Sequence, residues 1–463
     1  MRYLSEIYHE SIKYVPKAKP SLSLQWECQV MPDRRYLGMD RIDLHREEVP
    51  CFGYVSGDDL KPVGVYVVAH GRKIPDGVYA YDAAGRSAAP DVVGQLVRLG
   101  NKDKAKTLAK AFPDREFVSQ TPLLYIFTGV LERAVWRFRE SAYAQVMQDV
   151  GACVGSVLLH AKSHGSKVFA LGGFVDDEVA VALGLPATEF PMAALAVFPE
   201  YCEVAYNSVD EGVGETAYSN RCESEIMPDA SLDEIPDRYS SLFMRQNRGE
   251  NILDLSKCIR VRRLAAQAQP GDELPITPAK FDNEMYLKWI SDLGKVPVNR
   301  HPFKKVGMDL DDFSSMLRWL EVGQINLFGA GLLKIWIISF DVMFVYAGVY
   351  RYIPVRKSIY MQSGAINVKK FAKCHVVPEE AENTGFAVIL TADLNESCNL
   401  LGERAYRYMQ MNAGYIVQSL HLSSSMVRKT AVAEHFFYHD ELKKLCNIPE
   451  SESIVAEILV GRN

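Results

Sequence analysis

Apolar residues fall into two patterns along this chain, and both patterns occur once in each half. Short runs rich in β-branched and aromatic residues, "VGVYVVAH" at 63–70 and "KIWIISF" at 334–340, predict strands. Each is followed by a turn and a Tyr-rich run, "GVYAYD" at 77–82 and "GVYRYI" at 348–353. Alternation there predicts a second strand whose Tyr79, Tyr81, Tyr350 and Tyr352 pack the core. From Glu140 and from Glu403 onward, apolar or small residues recur at helical spacing for about six turns, with hardly a charge on the inner face. Gly151, Ala152, Gly155 and Ser156 in one, and Gly414 and Ser419 in the other, permit close approach of a second helix. Both segments therefore read as central interface helices. "DDEVAVALGLP" and "HDELKKLCNIP" predict short closing helices, each before a last strand. Together the elements predict a mixed α+β architecture.

The recurrence extends to residue identity. Gly77, Val78, Tyr79, Tyr81 and Ser87 return as Gly348, Val349, Tyr350, Tyr352 and Ser358. Ala142, Tyr143, Gly151, Val154 and Ser156 return without a gap as Ala405, Tyr406, Gly414, Val417 and Ser419, and the register runs on through Phe174 with Phe437 and Pro186 with Pro449. One register held over so many residues predicts a tandem duplication. The expected organisation is an N-terminal arm (1–45), a first domain (46–205), a linker or insertion (206–285) that is acidic and then basic, and a second domain (286–463).

Composition narrows the class. In a chain of 463 residues, 48% hydrophobic and 24% charged, there is ample material for globular cores. The net charge of −6 provides no basic field for a nucleic-acid backbone. Nine scattered cysteines without a CxxC pair fit a reduced, cytoplasmic setting better than a disulfide framework. The opening "MRYLSEIYHE" lacks the apolar run of a signal peptide. The most apolar stretch, Leu332 to Val349, is broken by Lys334 and Asp341 and reads as buried strands, so no membrane span is expected. His160 with His164, and His435 with His439, have the four-residue spacing of metal ligands on a helix, but neither pair has a third ligand or a His-Glu-x-x-His pattern. No metal is expected.

"IYHESIK", "GVYAYD", "RESAY" and "ALGGFVDDEVAVALGLP", in this order and spacing, resemble the nitroreductase-like azoline dehydrogenases (the SagB/ThcOx group). The resemblance covers most of 1–200 and, more weakly, 290–463. It implies two tandem nitroreductase-like domains forming an intramolecular pseudo-dimer with FMN between them. The implied activity is FMN-dependent oxidation of azoline rings in a ribosomally made peptide, with a cyclodehydratase or other biosynthetic proteins as partners.

In such proteins one subunit grips the flavin phosphate with an arginine-rich motif and a basic residue near the last strand, because a phosphate dianion calls for Arg or Lys forks. The other subunit contributes a serine- and glycine-bearing loop, and a Gly-Gly-Phe turn approaches the ring. By this resemblance the first copy keeps Ser56, Gly57, Gly172 and Gly173. The second keeps Arg300, His301 and Lys305 of the phosphate motif and Gly461 with Arg462 near its last strand, while its own glycine turn has become His435-Phe436-Phe437. At most one FMN per chain is implied.

Gly172-Gly173 also reads as a plain tight turn, and Arg300 and Arg462 as surface arginines. The family's Lys-Tyr pair is replaced by Arg137-Phe138 and Leu400-Leu401. An arginine is a poor base, so Arg137 is a candidate for orienting substrate or stabilising an anion, unless it merely opens a helix. Loss of the pair leaves a second reading open, that of a non-catalytic binding or scaffold subunit of a peptide-modifying complex. A third reading is a flavoenzyme for a different small substrate.

Overall fold

The computed structural model describes residues 3–16, 39–45, 52–70, 74–83, 92–199, 303–304, 307–323, 332–353 and 358–462. The expected linker at 206–285 and Arg300, His301 and Lys305 lie outside the described residues.

Two antiparallel sheets form from the apolar runs. Strands β1 (Arg41–His45), β2 (Val63–Ala69), β3 (Gly77–Asp82), β4 (Val92–Gly100), β5 (Leu123–Val130), β6 (Lys167–Leu171) and β7 (Glu189–Phe198) make the first, in the order β1-β4-β3-β2-β5-β7-β6. The second contains β8 (Lys334–Ser339), β9 (Gly348–Ile353), β10 (Ser358–Ser363), β11 (Phe386–Ala392), β12 (Thr430–Glu434) and β13 (Ser453–Gly461), ordered β10-β9-β8-β11-β13-β12. Matching β2 to β8, β3 to β9 and so on gives the same order in both sheets, with β1 as the one added strand among the described residues. Neighbouring strands in both sheets pair antiparallel, as with Tyr66 opposite Ile126 and Ile389 opposite Trp336.

Alternation along each strand sends side chains to opposite faces, and both faces are buried. Val65, Val67 and Ala69 of β2 enter one large core between the sheets, while Tyr66 and Val68 enter a second core beneath the helices Lys102–Ala109 and Asp176–Leu183. In the second sheet Val388 and Leu390 face the shared core, and Ala387 and Ile389 pack with Phe371 and Leu442 of the outer helices Val368–Ala372 and His439–Leu445. Helix starts are fixed by local chemistry: the side chains of Asn101, Asp114 and Asp393 accept first-turn amides.

Tyr79, Tyr350 and Tyr352 are buried in the shared core as the alternation predicts, and Tyr81 packs against it. The run from Leu332 to Val349 is only partly a buried strand. Its middle, after β8, is a loop in which Met343, Phe344 and Tyr346 are exposed. The expected N-terminal arm is also more than an appendage, because its residues 41–45 add β1 to the first sheet while its helix Leu4–Ser11 packs on the second half of the chain. There the Glu403 carboxylate accepts the Leu4 and Ser5 amides at 2.6 and 2.9 Å, satisfying donors that a helix start leaves open. Among the described residues no helix is long and apolar enough to cross a membrane.

Candidate functional site

The two long helices Ala142–Ser163 and Arg404–Met426 cross at the centre of the molecule, and glycine decides how closely. A Cβ on Gly151 would lie 1.9 Å from the Met411 carbonyl oxygen, and one on Gly414 would lie 1.8 Å from that of Gln148. These backbones therefore touch. The contact is reciprocal, because 148 and 411 stand as far apart in sequence as 151 and 414. Gln418 ties the seam further, accepting the Val55 amide at 3.1 Å and donating to Ser156 Oγ at 2.9 Å.

At one end of this crossing lies the loop bearing Ser56 and Gly57. Ser56 is buried, and its hydroxyl donates to Asp149 Oδ2 at 2.5 Å. The Gly57 amide and the Gln145 side chain donate to Asp149 Oδ1 at 3.4 and 3.3 Å. Burial pushes the Asp149 carboxyl up to about 7, against the opposing pull of these donors. Across the seam the loop meets the 435–437 turn of the second half: a Cβ on Gly57 would lie 3.1 Å from His435 Nε2 and 3.2 Å from Phe138 Cζ. The Phe138 and Phe436 rings stack with centroids 6.0 Å apart, and the Arg137 guanidinium lies 4.6 Å from the Phe436 ring centre. Below, His9 of the N-terminal helix meets His439 edge-on at 6.1 Å, and its Nδ1 is 3.2 Å from the Tyr406 hydroxyl. Burial lowers His9 to about 4 and His439 well below the ordinary range, so both imidazoles are neutral.

The other end is built from charge. Gly172 and Gly173 are buried, and the Gly172 carbonyl accepts from Arg404 Nε and Nη2 at 3.1 and 2.7 Å. Arg404 and Arg407 each reach the Asp176 carboxylate, at 2.5 and 2.6 Å, with all three side chains 4% exposed or less. Arg404 also stacks on Phe174 at 5.0 Å. Two guanidiniums against one carboxylate form a tight buried ionic cluster that holds the glycine turn onto the opposite half.

Gly461 and Arg462 sit beside Phe303 and Lys304. The Lys304 amide donates to the Arg462 carbonyl at 2.7 Å, and a Cβ on Gly461 would strike the Phe303 ring at 2.4 Å. The structure thus brings Ser56 and Gly57 against Arg137's neighbours, and Gly461 and Arg462 against the end of the phosphate-like motif. Gly172 and Gly173 belong to the opposite end. Asp149, Asp176, Arg404 and Arg407 are the site residues that sequence reasoning missed. Asp149 stands out in retrospect as a lone acid on an otherwise uncharged helix face. Among the described residues no group of three or more His, Cys, Asp or Glu could hold a metal ion.

Residues 56–197 match the profile of the Nitroreductase family. A protein of Methanocaldococcus jannaschii named "Putative nitroreductase MJ1384" is 26% identical over 118 residues, which span 26% of this chain and 60% of that protein. The crystal structure of a "putative nitroreductase" from Anabaena variabilis superposes over 100% of both chains with a TM-score of 0.78 at 20% identity. An E. coli microcin synthetase complex, McbBCD, aligns with 42% of this chain and 78% of its own at 13% identity, with a TM-score of 0.30, which bears on neither fold nor function. The chain has the α+β nitroreductase fold with two sheets, and residues 56–197 are similar to the Nitroreductase family.

FMN is the cofactor that the resemblance implies, and its fit is decided by the space and charge around Ser56 and Gly57. A planar ring needs about 3.5 Å of clearance on each face. A methyl group added to Gly57 would meet Gln145, His435 and Phe138 at 3.0–3.2 Å and would push them by a few tenths of an ångström. The Ser56 hydroxyl and Gly57 amide, donors suited to an anion, are already taken by the Asp149 carboxylate. At the Gly57 loop the described side chains lie close together, and a flavin there would need His435 and Phe138 to move aside.

Proposed function

We propose that this chain is a binding or scaffold subunit of a peptide-modifying assembly, formed from two nitroreductase-like copies fused into an intramolecular pseudo-dimer. The observation that carries the reading is the filled slot between Ser56-Gly57 and His435-Phe436, where Phe138 and the Arg137 guanidinium stack and Asp149 occupies the loop donors. A flavoenzyme needs that space open to cofactor and substrate. The peptide class is supported by the azoline-dehydrogenase resemblance in "IYHESIK", "GVYAYD" and "ALGGFVDDEVAVALGLP". Replacement of the Lys-Tyr pair by Arg137-Phe138 agrees, since an arginine held over an aromatic ring is no general base. The domain limits 46–205 and 286–463 are part of the proposal. The test is direct: purified protein is expected to be colourless and to leave the fluorescence of added FMN unchanged.

A second reading is an FMN-dependent oxidoreductase acting on azoline rings, and the family match over 56–197 favours it. In that case Arg300, His301, Lys305, Gly461 and Arg462 form the phosphate end. A yellow preparation with equimolar flavin, lost on replacing Arg300 and Arg462 by Ala, would establish this reading and overturn the first.

A further inference from the structure

The turn that fills the slot beside Gly57 is held by an acid, and that acid belongs to a buried cluster found in one half only. Glu434 ends β12 and is 4% exposed, and its Oε1 accepts the amides of His435 and Phe436 at 2.9 and 2.8 Å. Two amides on one carboxylate oxygen fix the backbone from which these rings meet Gly57 and Phe138. Glu457 of β13 lies directly opposite Glu434 in the strand pairing and is 1% exposed. His375 closes the group, with its Nε2 3.2 Å from Glu457 Oε2. Burial alone would push His375 down, but Glu457 and then Glu434 outweigh it and raise the imidazole to about 9, so it is cationic at neutral pH.

The first half builds the same place from hydrocarbon. Counting back 263 positions, Glu434, Glu457 and His375 fall on Leu171, Ala194 and Phe112, and Leu171 pairs with Ala194 as Glu434 does with Glu457. All three apolar residues are buried in the outer core of the first sheet. Two acids opposite one another on paired strands repel, and a buried ionic group is harder to keep than well-packed apolar side chains. The fold does not need the cluster, since the first half stands without it. What the cluster adds is its grip on the turn. The matching Gly172-Gly173 turn is held from across the seam, by Arg404 on the Gly172 carbonyl. Backbone pairing differs too: the Val376 amide donates to the Phe436 carbonyl at 2.8 Å, whereas the residue matching Val376 is Pro113, which has no amide to give.

We propose that Glu434 is a positioning residue whose carboxylate, steadied by His375 and Glu457, latches the His435-Phe436 turn into the slot beside Gly57. The slot is then regulated from behind, by the outer core of the second sheet. Arg404 reaches the first turn from the other half, so that turn moves only if the seam parts. Glu434 reaches the second turn from its own strand, so that turn is released with the central helix crossing intact. The latch rests on the reading of the slot as filled in the resting chain.

Hydrogen exchange at the His435 and Phe436 amides of the full-length protein, read by NMR, tests this. His375→Phe, Glu434→Leu and Glu457→Ala together give the second half the residues that already pack at this place in the first. The thermal midpoint of that variant should hold or rise. Exchange at both amides should nonetheless quicken more than about tenfold, the equivalent of one lost charge-assisted hydrogen bond. The His435 imidazole, 5.6 Å from the Phe138 ring, should lose its ring-current shift in the same variant. Glu434→Gln keeps a carbonyl oxygen for the two amides and should exchange nearly as slowly as wild type. Flavin binding by the wild type would sink the filled-slot reading alone, and the latch stands or falls by the exchange rates. Wild-type exchange in the triple variant, or a quickening no greater than a fall in its midpoint accounts for, overturns the proposal.

Discussion

The two ends of the central helix crossing occupy matching positions yet are built from opposite chemistry. At one end Arg404, Arg407 and Asp176 form a buried ionic cluster under the Gly172-Gly173 turn. At the other, the matching positions hold Ser141, Ala144 and His439, and the turn has become His435-Phe436. Neither guanidinium nor carboxylate has a counterpart there. A single charge from the cluster would be stranded in this dry interior, so the two ends differ on both sides of the seam. The space at the neutral end is taken by the neutral His9–His439 pair and by stacked rings. The comparison teaches that one seam can be closed by charge pairing at one end and by neutral ring packing at the other.

The largest effect should come from breaking the charged end. Asp176→Ala leaves two guanidiniums without their carboxylate and is expected to cost about 3–5 kcal/mol in chemical denaturation. His439→Ala, at the matching position, should cost only about 1–2 kcal/mol. Equal losses would erase the contrast between the ends.

Next comes Asp149, whose counterpart in the second half is Asn412. Its carboxyl has a folded value of about 7 against 3.8 for the free group. Between about pH 4 and 7 the native state holds a proton that the unfolded chain has released, so stability falls as pH rises through that window and levels off above it. The loss is on the order of 4 kcal/mol at most. Asp149→Asn should flatten the difference in stability between pH 4 and 7, measured by urea melts at each pH. A variant with the wild-type slope would mean that the carboxylate is ionised in the fold.

Gly151→Ala and Gly414→Ala probe the point at which the two halves are alike. Each added methyl meets a backbone carbonyl that cannot rotate away, and each should cost about 1–3 kcal/mol. Similar drops in thermal midpoint are expected from the two variants, and a large disparity would show that the reciprocal contact is not equally tight on its two sides. The smallest effect is a gain. His435→Gly with Phe436→Gly clears side chains from the slot beside Gly57 and should produce weak FMN binding in a fluorescence titration where the wild type shows none. Unchanged indifference to FMN would place the obstruction at Asp149.

Much of this fold was legible in the chain. The two apolar strand runs and the two uncharged helices obey simple periodicities, and their recurrence, 271 positions on for the strands and 263 for the helices, predicted the matching strand orders and the crossing at Gly151 and Gly414. The resemblance set Ser56 and Gly57 opposite the second half's phosphate groups Arg300, His301 and Arg462; the contact the structure describes for Gly57 in that half is His435. What stayed hidden depends on partners far apart in sequence. Nothing local to "SGDDL" tells that Ser56 will spend its proton donor on Asp149, and nothing in "YHES" tells that His9 will pack on His439. The substitution of His435-Phe436 for a glycine pair was visible, but whether the rings turn into the slot or away from it is a matter of packing.

The reciprocal glycine contact also has a consequence in time. Gly151 and Gly414 stand 263 positions apart, so the apolar seam of the first central helix is synthesised long before its partner. At about 5–20 residues per second the wait is roughly 13 to 50 seconds. During it, Gly151, Cys153, Val154 and Val157 present an uncharged face made to touch another backbone. A nascent chain in this state is poised to pair with the wrong helix, including the first helix of a neighbouring nascent chain, which displays the same Gly151. Yield on expression should therefore depend on how fast residues 404–426 follow, and slowing translation between the two helices should lower the recovered fraction of folded protein.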